Sequence, residues 1–341
     1  MRHIIIIAEA GINHNGDIKM ALKMIDAAAA AGADYIKFQT YKTEKLVNKN
    51  TSLAEYQKQN LGFQKNTSQF EILKKYEIDL DAHYKLMRAC HKKDIKFLST
   101  AFDLDSIDLL SKLNIPLFKI PSGEITNLPY LEKIALTKKP VIISTGMSNL
   151  KEIKTALKVF LSKGYLKENI TILHCNTQYP TPMEDVNLNA MTTISKEFGI
   201  SVGYSDHTLG IEVPIAAVAM GARVIEKHFT LDRKLAGPDH KASLEPHELK
   251  KMIESIRNIE KALGSEEKKA TDSEIRNRDI ARKSIHIAKY KTPGEILTLE
   301  DIIMLRPGDG ISPMDYKNII GRKVINELLP GQKLQWTDLQ N

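Results

Sequence analysis

LFKIPSGEITNLPYLEKIALTKKPVIISTG, residues 117–146, holds one complete structural unit. Leu117 to Ile120 is a short apolar run of strand length, closed by Pro121 and the Ser122-Gly123 turn. Leu128 to Leu136 then repeats its apolar residues at helical spacing, and Pro140 opens a second apolar run from Val141 to Ser144. Strand, helix and strand in this order, with strands that are apolar on both faces, predict a βαβ unit in a covered parallel sheet.

The same alternation continues in both directions. Towards the N-terminus, strands are expected at Ile4 to Ala8, Tyr35 to Gln39 and Lys96 to Ser99. Helices are expected at Ile18 to Ala31, Asp81 to Lys92 and Asp105 to Leu113. Towards the C-terminus, strands follow at Ile170 to Cys175, Ser201 to Tyr204 and Arg223 to Lys227. The matching helices are Asn149 to Leu161, Leu188 to Phe198, Glu212 to Met220 and Glu245 to Leu263. Eight strands, each followed by a helix, predict a (β/α)8 TIM barrel over residues 1–265. An open doubly wound sheet is the alternative, but the Rossmann and P-loop phosphate motifs are absent. A polar insert, about residues 41–79, interrupts the pattern after the second strand.

After Gly264 the composition changes. Residues 266–281 are charged and polar, as in a linker or a solvated helix. From residue 282 to 341 strand-like runs (KSIHIAK, ILTLEDI) alternate with turns (TPGE, RPGDGISP), which predicts a small β-rich module. A module of this size has little core of its own, so docking onto a partner barrel is plausible.

The chain has 341 residues, 42% apolar, enough for a large core. Its net charge of +7 is spread among interleaved acids, as on a solvated surface rather than a nucleic-acid patch. The two cysteines, Cys90 and Cys175, form no CxxC pair, which suits a reducing compartment. The apolar start is cut by Glu9, and Val213 to Val224 is too short to span a bilayer. A cytoplasmic protein that binds neither membrane nor nucleic acid is expected.

In such barrels the reactive groups sit at the carboxyl ends of the strands. Glu9 ends the first strand, where a buried carboxylate needs a partner; it is read as a barrel-mouth proton-handling group or as half of a structural ion pair. Asn13 and His14 follow in a Gly-flanked loop, where turn hydrogen bonds would explain them equally well. Lys37 with Gln39, and Lys119, lie on nearby strands. Two inward ammonium groups repel each other unless an anion lies between them, so a substrate with phosphate and carboxylate groups fits. Local pairing with Glu9 or Glu124 is the plainer reading. Ser122 and Gly123 expose backbone N–H groups, and Thr100 and Ser144 add hydroxyls; together they outline an anion pocket. His207 and His228 end successive strands, so both can reach one octahedral divalent ion that keeps open positions. Asp206 or Glu226 can orient an imidazole, and Asp239 lies on a nearby Gly-Pro loop.

The motifs AEAGINHNG, IKFQT, FKIPSGEITNLPYLEKIA, STGM, HCNTQYPTP, GYSDHTLG, EKHFTLD and GPDHKASLEP resemble, in order and spacing, those of the bacterial sialic acid synthases. That family includes N-acetylneuraminate and N,N′-diacetyllegionaminate synthases. RPGDGISPMDY resembles its C-terminal antifreeze-like (SAF) domain. The resemblance implies condensation of phosphoenolpyruvate with the open-chain aldehyde of an N-acylated mannosamine-type sugar, with water, to give a nine-carbon acid and phosphate. It implies His207 and His228 as ligands of a divalent metal, Mn²⁺ first, with Mg²⁺ or Co²⁺ as alternatives. It assigns Lys37, Thr100, Lys119, Ser122, Ser144 and Ser205 to phosphoenolpyruvate, and Glu9, Gln39, Tyr179 and Asp239 to the sugar. Glu124 matches a carboxylate close to the reacting water or phosphate. Arg306 matches an arginine that one subunit inserts into the other's site, which implies a domain-swapped homodimer.

The chain departs from the family at HCNTQYP, so Asn176 and Thr177 are both candidates for one contact, and Arg282 stands where some members place a phenylalanine. The sugar is left open between N-acetylmannosamine and 2,4-diacetamido-2,4,6-trideoxymannose, and the insert from Lys42 to Asp79 is a candidate for part of its pocket. A Schiff-base aldolase using Lys37, Lys119 or Lys227, and a non-catalytic carbohydrate-binding barrel, are the rival readings.

Overall fold

A computed structural model describes residues 3–53 and 68–340. The chain divides into a unit that ends at Gly264 and a second that begins at Ser265.

The first unit repeats strand and helix: β1 Ile5–Gly11, α1 Ile18–Ala31, β2 Tyr35–Thr40, α2 Thr43–Leu46, α3 Gln69–Tyr76, α4 Leu80–Lys92, β3 Lys96–Ala101 and α5 Leu104–Lys112. It continues through β4 Phe118–Ile120, α6 Leu128–Leu136, β5 Val141–Ser144, α7 Leu150–Ser162, β6 Ile170–Cys175, α8 Asn189–Phe198, β7 Ser201–Asp206, α9 Glu212–Ala219, β8 Val224–His228 and α10 Pro246–Ala262. All ladders are parallel, in the order β3-β2-β1-β8-β7-β6-β5-β4. β3 and β4, at the two ends of this order, lie side by side, so the sheet curls into a nearly closed barrel. The barrel is therefore the one expected from the alternation.

Local chemistry sets the helix starts. Asp17, Asp79, Asp103, Asn127 and Asn149 each accept a backbone N–H in the first turn of the helix that follows. Glu77 ties the beginning of the insert to its end, accepting from Lys42 Nζ at 2.9 Å and from Thr43 N at 3.2 Å. Residues 54–67 of the insert lie outside the described residues.

Strand alternation sorts the barrel into layers. Outward residues such as Ile6, Ile36, Phe97, Phe118, Ile143, Ile172, Val202 and Ile225 pack against the helices. Inward, Ile7, Tyr35, Leu98, Leu117, Ile142, Leu173 and Val224 form a separate apolar layer. β7 contributes Gly203 there, because a Cβ would lie 2.2 Å from the Val224 carbonyl oxygen and 2.7 Å from Leu173. Two residues further along each strand the side chains are Glu9, Lys37, Thr100, Lys119, Ser144, Cys175, Ser205 and Glu226. A dry floor thus supports a second layer made of polar groups and one thiol.

In the second unit, the stretch expected as linker or solvated helix contains α11 Asp272–Ala281, which buries none of its side chains. β9 Ser284–Ile287 pairs antiparallel with β10 Ile302–Leu305 over a core that includes Ile285, Ile287, Leu297, Ile311, Val324, Leu328 and Leu334. ILTLEDI is not one strand. Thr298 and Asp301 cap each other reciprocally and turn residues 299–301 into a 3-10 helix before β10 begins. Among the described residues no helix is long and apolar enough to cross a membrane.

Candidate active site

Above the apolar floor lies a cavity of about 650 Å³ at the carboxyl ends of the strands. Its wall contains Glu9, Lys37, Gln39, Thr100, Lys119, Ser122, Ser144, Thr177, Tyr179, Ser205, His207, His228 and Asp239, all expected from the sequence. It also contains Glu226.

The charged groups interlock. Lys37 Nζ lies 2.7 Å from Glu9 Oε2 and 3.6 Å from Glu226 Oε2, and donates to Thr100 Oγ1 at 2.9 Å. Lys119 Nζ lies 3.3 Å from Glu226 Oε1 and donates to Ser144 Oγ at 2.7 Å. Ser205 donates its hydroxyl to Glu226 Oε1 at 2.9 Å. Glu226 therefore bridges both lysines and relieves their repulsion. Both readings of the lysines hold in part: they are paired with carboxylates, and they remain on the cavity wall.

Burial separates the two acids. Burial raises the Glu9 pKa, and the nearby Lys37 does not cancel that effect. Burial also opposes ionisation of Glu226, but Lys119 and Lys37 outweigh it and hold its pKa below the ordinary value. One carboxyl group is thereby biased to keep a proton while its neighbour stays ionised. Burial lowers the pKa of Lys119, whereas Glu226 and Glu9 overcome burial at Lys37 and raise it. Burial pushes Asp239 up to about 6.

The imidazoles of His207 and His228 lie 5.5 Å apart between ring centroids, and the Tyr179 ring lies 4.0 Å from that of His207. His207 Nδ1 donates to the Asn176 carbonyl oxygen at 2.5 Å, which leaves the lone pair on Nε2. His228 Nδ1 is buried without a hydrogen-bond partner among the described residues. Burial lowers both pKa values, that of His207 to about 4, so both rings are neutral at physiological pH. An unpaired buried nitrogen on a ring 5.5 Å from a neutral, oriented imidazole fits a divalent ion. Among the described residues no cluster of three or more His, Cys, Asp or Glu is placed to hold a metal, so the remaining positions would fall to water and substrate oxygen. Gly11, at φ +51°, keeps this corner open, since a Cβ there would lie 3.2 Å from Glu9 Oε1 and 3.4 Å from His228 Cε1.

Three expected residues lie elsewhere. Glu124 is on the turn after β4, outside the cavity wall, and accepts from Asn127 Nδ2 at 2.6 Å. Asn176 lines a neighbouring cavity and orients His207 through its carbonyl group, while Thr177 faces the main cavity. Arg306 is exposed in the second unit. Asn13 makes structural hydrogen bonds, donating to Phe229 O and Ser243 Oγ, and His14 Nδ1 accepts from Gly16 N. Lys227 faces away from the cavity and is fully buried against Asp206 and the Thr208 carbonyl oxygen. Helices of the insert reach the site, contributing Leu46, Gln69 and Leu73 to the wall, joined by Val47.

The comparisons with known proteins agree with this architecture. The NeuB family pattern matches residues 24–268 and the SAF domain pattern residues 282–340. The N,N′-diacetyllegionaminic acid synthase of Campylobacter jejuni is 50% identical, over 94% of this chain and 96% of its own. The enzyme of the same name from Legionella pneumophila is 48% identical, over 98% and 94% respectively. The crystal structure of an N-acetylneuraminic acid synthetase from Leptospira borgpetersenii superposes with a TM-score of 0.72 at 37% identity, covering 81% of this chain and 90% of that one. By its sequence, its barrel and its terminal domain, the chain belongs to the NeuB family and carries a SAF domain.

Proposed function

We propose that the protein condenses phosphoenolpyruvate with the open-chain aldehyde of an N-acylated mannosamine-type sugar and water, giving a nine-carbon sialic-type acid and phosphate. The observation that carries this reading is the sharing of one cavity by two kinds of site. Lys37 and Lys119, with hydroxyls at Thr100, Ser122, Ser144 and Ser205, suit a phosphate-bearing enol ester. His207 and His228 suit a divalent ion, with Glu9, Gln39, Tyr179 and Asp239 nearby for the sugar.

When bound, such an ion, Mn²⁺ in our reading, supplies Lewis-acid polarisation of the aldehyde. The protein's groups do the rest. The lysines hold the enol ester with its C3 towards the aldehyde carbon, where the new C–C bond forms. Glu9, biased to keep its proton, protonates the aldehyde oxygen as it becomes a hydroxyl. The ionised Glu226 stabilises positive charge developing at C2. Water adds at C2 and returns one proton to Glu9; as the bond from C2 to the phosphate oxygen breaks, C2 becomes a carbonyl carbon and the second water proton leaves with the phosphate. The phosphate leaves against Lys37 and Lys119.

The names of the Campylobacter and Legionella relatives favour 2,4-diacetamido-2,4,6-trideoxymannose over N-acetylmannosamine. The working form is a cytoplasmic homodimer in which each copy lends Arg306 to the other's site. The test is phosphate release from phosphoenolpyruvate with each sugar and Mn²⁺. Release that depends on the sugar, with the higher kcat/KM for the trideoxy sugar, is expected. Phosphate release without any sugar, or none with either, would refute the proposal.

A further inference from the structure

The cavity wall changes character from one side to the other. β4 and β5 and the turn after β4 contribute Lys119, Ser144 and Ser122. The segments that leave β2 contribute Leu46, Val47 and Leu73 instead, backed by Phe102 after β3. This apolar wall is already part of the fold. Leu73 is 9% exposed, and its carbonyl group accepts the Tyr41 hydroxyl at 3.1 Å. Tyr41 in turn packs edge-on against Phe102, with ring centroids 6.3 Å apart.

We infer that Leu46, Val47 and Leu73 are specificity-determining residues, which take the C6 methyl group of a 6-deoxy sugar and disfavour a C6 hydroxymethyl group. The inference rests on the condensing function proposed above. With the aldehyde carbon at His207 and His228, an open-chain sugar runs outward, and its far end meets the segments that leave β2. None of the three side chains has a donor or an acceptor, and the Leu73 carbonyl is taken by Tyr41. A hydroxyl group pressed against these three side chains gives up water and gains no partner from them, whereas a methyl group gains apolar contact. Gln69, one helical turn before Leu73 on α3, adds a polar side chain to this wall, and it lies on the same helix face.

The test uses two sugars that differ only at C6: N-acetylmannosamine and 2-acetamido-2,6-dideoxymannose. Each is supplied with phosphoenolpyruvate and Mn²⁺ to the full-length protein, and kcat/KM is read from phosphate release. The 6-deoxy sugar is expected to be preferred by about 10- to 100-fold. Val47→Thr, which keeps the side-chain shape and adds a hydroxyl, and Leu46→Gln are each expected to shrink that ratio several-fold while leaving KM for phosphoenolpyruvate in place. A general loss of packing would lower both sugars together and leave the ratio unchanged. Equal kcat/KM for the two sugars, or a ratio that neither substitution moves, would overturn the inference and leave the condensing function standing. Absence of phosphate release with either sugar would overturn both.

Discussion

Replacing Glu226 by Gln removes the carboxylate that both buried lysines share. In the parent protein its oxygens lie 3.3 Å from Lys119 Nζ and 3.6 Å from Lys37 Nζ. The amide keeps the shape and can still meet Ser205, so the change is mainly one of charge. Two ammonium groups are then left with Glu9 alone, which is the case of a broken buried ion pair and costs about 3–5 kcal/mol. Deprotonation of Lys119, whose pKa burial already lowers, limits the loss. For a unit of this size the loss corresponds to a fall in Tm of roughly 6–20 °C. Because Lys119, Lys37 and the Ser205 hydroxyl outweigh burial and hold the Glu226 pKa below its ordinary value of 4.5 in the folded state, its contribution is complete above that value. It fades as pH falls through the depressed folded-state pKa, so the gap between the variant and the parent should close in acid. In the proposed reaction phosphoenolpyruvate carries negative charge to the same lysines. Scanning calorimetry at neutral pH should therefore show a larger phosphoenolpyruvate-induced rise in Tm for Glu226→Gln than for the parent. A variant as stable as the parent, or one with an equal or smaller rise, would refute the reasoning.

Three further outcomes follow from the same geometry. Since burial holds His207 and His228 neutral, Mn²⁺ affinity measured by titration calorimetry should change little between pH 8 and about 6, where exposed histidines begin to take up protons; a steep fall over that range would contradict it. Asp206→Ala leaves Lys227 buried without its carboxylate behind the tips of β7 and β8, so it should destabilise the barrel by about 3–5 kcal/mol. Because those tips carry the two histidines, the same variant should weaken Mn²⁺ binding by about 10- to 100-fold, and unchanged binding would show that the pair does not position them. Arg306→Ala should lower kcat sharply while the barrel melts as before, and near-normal turnover would remove the case for a contribution from a second copy.

The sequence exposed the barrel because its two periodicities are strong and local. α1, α6, β5 and β6 run where the residue pattern puts them. Most of the site was legible for the same reason, since alternation makes a polar residue near a strand end face the cavity. That rule, applied through β8, also separates Glu226 from Lys227: Val224, Glu226 and His228 share the inner face, and Lys227 points outward to Asp206. Glu226 was read only as a possible support for an imidazole, because its main partners, Lys37 and Lys119, lie on distant stretches of chain. Glu124 and Asn176 could not be placed from spacing because each sits on a turn whose backbone path, not its periodicity, decides where the side chain goes. The insert gave no strand signal because it supplies short helices, capped by Ser68 at α3 and tied by Glu77, whose role on the cavity wall depends on tertiary packing.

The proposed condensation requires a cation at His207 and His228 and an anion at Lys37 and Lys119 to occupy one cavity together. Paramagnetic relaxation of the phosphorus nucleus of bound phosphoenolpyruvate by Mn²⁺ measures this directly. Strong relaxation in the parent, lost in His228→Ala although phosphoenolpyruvate still binds, is the predicted result. Phosphoenolpyruvate that binds fully yet shows no Mn²⁺-dependent relaxation would place the two ions apart and contradict the account.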